Sequence, residues 1–214
     1  MQPMDATIDH LLYGSRDLET GVTDIERLTG VRPVYGGQHL GLGTHNALLS
    51  LGEHTYLEVI APDPAQAGLD VQPRYGISSL EAPALLAWAV APRDIEEAAR
   101  QARAAGVDFG EVVAHSRHAP DGSEVRWRMA TRASDEVGLA VIPFLIDWGT
   151  SIHPAARAPG GVRLVDLRVL SPDPEGVERA LRAIGVAVSV VPSEKSGLEA
   201  LLVGSSGREV VLSS

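Results

Sequence analysis

His10 and Glu58 are the residues whose type and setting most directly suggest chemistry. His10 lies in an apolar run close to the start of the chain. Glu58 interrupts a second such run, Tyr56-Leu57-Glu58-Val59-Ile60. A carboxylate between Leu57 and Val59 in a strand-like stretch needs a partner, a metal ion or a proton, because an unpaired buried charge is strongly unfavourable. An imidazole and a carboxylate that meet can hold a divalent cation or pass a proton to and from a small substrate. Two plainer readings stand beside these. One is a hydrogen-bonded structural histidine, and the other is an ion pair between Glu58 and an arginine such as Arg126 or Arg128.

The elements that position them repeat along the chain. Ser15-Arg16-Asp17-Leu18-Glu19 returns as Pro92-Arg93-Asp94-Ile95-Glu96 and again as Ser171-Pro172-Asp173-Pro174-Glu175. Each copy follows an apolar run and precedes a helical stretch that stops at Gly30-Val31, Gly106-Val107 or Gly185-Val186. The aspartate is a good helix N-cap and the glycine a good left-handed exit. In the first copy, Leu18, Val22, Ile25 and Leu28 fall on one helical face. The pattern predicts strands over 8–13, 32–35, 46–51 and 55–60, then 85–90, 109–114, 125–131 and 139–146, then 163–170, 187–191, 198–203 and 209–212. Helices are predicted over 94–105 and 175–184. The fold class is therefore α+β: repeated βαβββ modules forming curved mixed sheets around a cleft, with helices on the outer face. Module 1 spans 1–62 and module 2 spans 84–149. Module 3, which is βαβββ-like, spans 162–214. Connectors occupy 63–83 and 150–161.

The repeat gives a register. Arg16 recurs as Arg93 and Asp17 as Asp173. On that spacing His10 corresponds to Ala87 and Asp166. Glu58 corresponds loosely to Leu145, and in module 3 to a position near Val211. Asp166 and Arg168, two apart on a strand, read as a solvated pair. Gly36-Gly37 and Gly41-Leu42-Gly43 lie between strands and not before a helix, so they read as turns and not as a dinucleotide fingerprint.

Bulk properties narrow the classes. The 214 residues carry 18 basic against 28 acidic side chains, a net charge of −10. That balance disfavours nucleic acid and anionic membranes as partners. The chain has no cysteine, which removes disulfides, thiolate metal ligands and thiol catalysis. No secretory signal or membrane-length apolar run is visible, so a cytoplasmic location is the expectation.

Asp9-His10-Leu11, Gly41-Leu42-Gly43-Thr44-His45-Asn46-Ala47, Tyr56-Leu57-Glu58-Val59-Ile60-Ala61-Pro62, the stretch from Arg117 through Pro120-Asp121-Gly122 to Trp127-Arg128, and Pro143-Phe144-Leu145-Ile146-Asp147-Trp148 resemble the glyoxalase-like proteins of the vicinal oxygen chelate superfamily. The resemblance covers roughly the first 150 residues well and the third unit more weakly. It implies paired modules around a U-shaped sheet, in which each module of the metal enzymes gives one ligand from its first strand and one from its last. His10 and Glu58 are then the metal ligands, and Glu58 is also the catalytic proton shuttle. His39, His45, Asn46, Trp127, Arg128 and Phe144 are the candidate substrate-binding residues. Further ligands would come from His39, His45, Asp147, His153 or Asp166, because Ala87 and Leu145 supply none. The implied cofactor is one divalent ion, with zinc, nickel, manganese and iron not distinguished. The implied activity is of lyase, isomerase or dioxygenase type on a small organic molecule. The alternative is a metal-free binding protein, whose cleft orients an organic ligand with His10, Glu58 and an arginine. A homodimer is compatible with either reading.

Overall fold

The computed structural model describes residues 6–66, 68–69, 76–132 and 141–214. The first unit is β1 (Thr7–Gly14), α1 (Leu18–Thr29), β2 (Val34–His39), β3 (Thr44–Ser50) and β4 (Tyr56–Pro62). The second is β5 (Ala84–Ala91), α2 (Ile95–Ala104), β6 (Val113–His118), β7 (Glu124–Ala130) and β8 (Phe144–Asp147). The third is β9 (Arg163–Ser171), α3 (Pro174–Ala183), β10 (Ser189–Pro192), β11 (Gly197–Val203) and β12 (Glu209–Ser213). The fold is the expected α+β one. No helix among the described residues is long and apolar enough to cross a membrane.

The repeated aspartates explain where the helices begin. The carboxylates of Asp17, Asp94 and Asp173 accept from the backbone N–H of Thr20, Glu97 and Gly176. Each satisfies an otherwise orphaned donor and contributes about 1 kcal/mol. Gly30 ends α1 in the left-handed region, at φ 77°.

Eight strands close into a barrel in the order β1-β4-β3-β2-β6-β7-β8-β5. β1 runs parallel to β4 of its own unit and antiparallel to β5 of the next. Alternation along the strands then sorts two apolar layers. Leu11, Tyr13, Leu57, Val59, Trp88, Val90 and Leu145 belong to the outer core that the helices cover. Leu12, Ile60, Ala87, Ala89, Trp127, Phe144 and Ile146 form an inner cluster. The far side of the barrel is joined thinly. β2 and β6 share the single pair Gln38 and His118.

The third unit keeps the element order but not the pairing. Its sheet runs β10-β9-β11-β12. β9 takes β10 as its parallel neighbour, through the α3 crossover, whereas β1 takes β4. β12 therefore sits at the far edge, two strands from β9. Asp166 pairs with Arg168 at 3.0 Å near solvent, and Val211 is exposed. The buried face of this sheet, with Leu167, Val169, Leu198, Ala200 and Leu202, adds to the outer core.

Three local expectations shift. β2 starts at Val34 and runs to His39, so Gly36 and Gly37 lie within a strand. A Cβ on Gly36 would stand 2.4 Å from Asn46 Oδ1, so glycine is what allows the two strands this approach. β6 begins at Val113, with Phe109 buried ahead of it. The strand expected over 139–146 is described only from Phe144, and positions 139–140 lie outside the described residues.

Candidate functional site

β1 and β4 bring His10 and Glu58 together. Leu12 pairs with Glu58 and His10 with Tyr56, so all four side chains point into the barrel. His10 Nε2 lies 3.6 Å from Glu58 Oε2, and both residues are buried. Tyr56 stacks on the imidazole at 4.6 Å between centroids. Burial, first of all, together with the charges of Glu58 and Asp9, raises the Tyr56 phenol well above its ordinary pKa, so it stays a neutral plate.

β2 and β3 supply the next side chains. Asn46 Nδ2 donates to Glu58 Oε1 at 2.7 Å and faces His39 Nε2 at 3.2 Å. His39 Nδ1 meets Thr44 Oγ1 at 2.9 Å. His39 Nε2 is itself 3.6 Å from Glu58 Oε1. The carboxylate thus sits between two imidazoles and an amide. Asn46 Oδ1, turned to the wall beside Gly36, is buried without a hydrogen-bond partner among the described residues.

Behind His10 stands Asp9, which the sequence offers only as the first residue of Asp9-His10-Leu11. Adjacent strand residues normally face opposite ways. Here β1 pairs Ile8 with Val90 and His10 with Ala89, so Asp9 is the extra residue of a bulge. Its carboxylate reaches His10 Nδ1 at 2.6 Å, Trp148 Nε1 at 3.0 Å and His153 Nε2 at 3.1 Å. Burial pushes its pKa up, but the hydrogen bonds and charges of His10 and His153 outweigh this and bring it down to about 2. An ionised Asp9 keeps a proton on His10 Nδ1 and leaves Nε2 turned toward Glu58.

The surrounding cavity has a volume of about 70 Å³. Leu12, Ile60, Met129, Phe144 and Ile146 make its apolar wall, and Arg117 of β6 enters from the side. Trp127 and Trp148, with ring centroids 5.8 Å apart, separate it from a surface groove of about 810 Å³ that both also line.

Of the expected site residues, His10, His39, Asn46, Glu58, Trp127 and Phe144 line this cavity. His45 and Arg128 do not. His45 is on the other side of β3, beside Tyr35 and 3.9 Å from Asp63 Oδ1. Arg128 is held by Asp147 and by Glu96 of α2. Strand alternation accounts for both, since Asn46 and Trp127 already point inward. His153 lies on Asp9 instead of on Glu58, and the arginine in the cavity is Arg117, not Arg126 or Arg128. The register also corrects the counterpart of Glu58. Leu12 pairs with Glu58, and Ala89, its equivalent in β5, pairs with Phe144. Phe144 is therefore the matching residue, and Leu145 faces the helices.

The donor set can be tested against a metal. The four family positions hold His10, Glu58, Ala87 and Phe144, so the second module offers a methyl group and a ring. His39 adds a nitrogen, but the Asn46 N–H group sits against both His39 Nε2 and Glu58 Oε1, in the space a shared cation would need. Among the described residues, no group of three or more His, Cys, Asp or Glu is arranged to hold a metal ion. A catalytic divalent ion takes about three protein ligands, and the residues present do not fit one.

Residues 8–185 match the model of a family described as a glyoxalase-like domain. The chain belongs to this glyoxalase-like family. The family lies within the vicinal oxygen chelate superfamily. A hypothetical protein from Staphylococcus aureus shares the family fold at 14% identity, with a TM-score of 0.63 over 89% of this chain and 88% of its own. A mutant of 4-hydroxymandelate synthase from Streptomyces coelicolor matches at 14% identity and a TM-score of 0.51, over 100% of this chain and 63% of its own. Methylmalonyl-CoA epimerase from Mycobacterium tuberculosis matches at 18% identity and a TM-score of 0.43, over 66% and 87%. No curated protein sequence matches. In this glyoxalase-like chain the first module brings His10, His39, Asn46 and Glu58 to the cavity among apolar residues, while the second brings mostly apolar residues and Arg117.

Proposed function

We propose that the protein is an enzyme of isomerase or lyase type that binds a small oxygen-bearing organic molecule inside the barrel, and that Glu58 moves a proton on it. One observation carries the reading. The Glu58 carboxylate is buried, held at 2.7 Å by Asn46 and faced at 3.6 Å by His10 Nε2, inside a cavity with an otherwise mostly apolar wall. A positioned carboxylate in such a site can take the proton from carbon beside a carbonyl, a role worth about 10²–10⁴ in rate. Asn46 fixes which oxygen is free to do so. His10, with Nδ1 tied to Asp9, presents a bare Nε2 at 3.6 Å from Glu58 Oε2, so the proton taken by Glu58 can pass to it and from there return to the intermediate. The apolar wall and the two tryptophans keep bulk water from the carbanion-like intermediate.

The test is exchange of solvent deuterium into a panel of small carbonyl compounds, followed by proton NMR. The parent protein is expected to label at least one of them, and Glu58→Gln to lose about 100-fold or more of that rate while unfolding at the same denaturant concentration. Exchange that survives Glu58→Gln would sink the assignment. Elemental analysis of mildly purified protein is expected to give well under one divalent ion per chain. A full equivalent, lost in His10→Ala and Glu58→Ala alike, would return the metal-dependent reading.

A further inference from the structure

We propose that Arg117 is the receptor for a carboxylate, so that the molecule taken up by the barrel is a short-chain organic acid; this rests on the cavity being the binding site. Arg117 is only 6% exposed. It stands on β6 and crosses the thin β2–β6 join, where Nη1 donates to the backbone carbonyl of Gly36. A guanidinium carries five N–H donors in a planar fork, and that one bond uses a single nitrogen. Among the described residues no carboxylate comes within ion-pair distance of it. Glu58 acts on it only through space, and Glu58 is engaged by Asn46 and flanked by two imidazoles. Burial lowers the pKa of Arg117, and the nearby charge of Glu58 works against that shift.

A nearly sealed cation with spare donors and no direct counter-ion is an unfavourable arrangement on its own. A ligand carboxylate would complete it. The fork matches the two oxygens of a carboxylate side by side, a fit that a point charge does not reproduce. Placing the carboxylate at Arg117 pairs it with the buried guanidinium that lines the cavity and not with the Glu58 carboxylate. Leu12, Ile60, Phe144 and Ile146 offer no charge to pair with, and Glu58 would repel a second anion, so the rest of the molecule carries no further negative charge. With about 70 Å³ available, only a few non-hydrogen atoms fit.

The experiment compares propionate, butyrate, lactate and pyruvate, each with its own primary amide, using quenching of Trp127 and Trp148 fluorescence and calorimetric titration on the full chain. At least one acid is expected to bind about tenfold or more tighter than its amide. Arg117→Lys keeps the charge but not the fork, and is expected to lose most of that preference while retaining the fold. Arg117→Met is expected to abolish it. Because Arg117→Met could loosen the join at Gly36, the lysine variant carries the comparison. Amides that bind as well as acids, no binding by any of the four acids, or an acid preference unchanged in Arg117→Lys would each overturn the proposal. The two readings fail separately. Deuterium exchange that depends on Glu58 with no acid preference removes the role of Arg117 alone. An acid preference with exchange indifferent to Glu58→Gln removes the proton-transfer role and leaves the carboxylate receptor standing.

Discussion

The two modules of the barrel are built to one plan and lined with opposite chemistry. At matched positions the first module places His10, Asn46 and Glu58 where the second places Ala87, Met129 and Phe144. The backbone register is the same in both, because His10 faces Ala89 just as Ala87 faces Leu12. The scaffold therefore does not dictate polarity. The first module holds a carboxylate among donors beside Leu12 and Ile60, and the second adds Met129, Phe144 and Ile146 to the apolar wall together with the buried guanidinium of Arg117. Under the proposed function, this division would separate proton transfer from ligand binding. It also accounts for the finding that, among the described residues, no set of His, Asp and Glu from both modules is arranged around a shared metal.

Substitutions can break that contrast or sharpen it. The largest expected effect is at the matched pair Glu58 and Phe144. Glu58→Gln is expected to abolish exchange as described above. Phe144→Leu should change ligand affinity and leave the exchange rate within about tenfold, a split read from separate affinity and rate measurements. Equal effects on rate would erase the distinction between the halves. Next comes Asp9, which braces the polar half. Asp9→Asn removes a buried charge shared by His10, His153 and Trp148, and is expected to lower unfolding free energy in urea by about 3 kcal/mol. The same carboxylate predicts an acid limb. Its pKa is depressed to about 2 in the folded protein, so its stabilisation of about 2 kcal/mol is complete above about pH 4 and is lost as pH falls toward 2. Asp9→Asn should flatten that limb in pH-dependent unfolding. The smallest effect belongs to the third unit. Asp166→Ala should change stability by less than about 0.5 kcal/mol and leave exchange untouched, since its partner Arg168 is half exposed.

Local rules made much of the frame legible. Capping is a matter of three residues, so Asp17, Asp94 and Asp173 announced their helices. Glu58 could be singled out because a charge in an apolar strand is conspicuous. What stayed hidden depends on contacts distant in sequence. Arg117 reads as an ordinary strand arginine until β6 closes on β2. Asp9 faces His10 only because β1 slips by one residue against β5, which no pattern in β1 alone reveals. The third unit repeats its signals faithfully, yet β9 chose β10 over β12, because strand order is decided by packing and not by spacing. His45 and Arg128 were legible after all. Each neighbours an inward residue on a strand, and alternation excludes both from the same side.

One unmatched position in β1 has a consequence of its own. Were the strand laid flat against its neighbour, Asp9 would be directed away and His10 would have no anion at its back. A single residue of surplus length converts a passive ring into one whose orientation is clamped at one nitrogen and offered at the other. Shortening the chain by one residue ahead of Asp9 would therefore release the ring while the other residues that line the cavity remained in place.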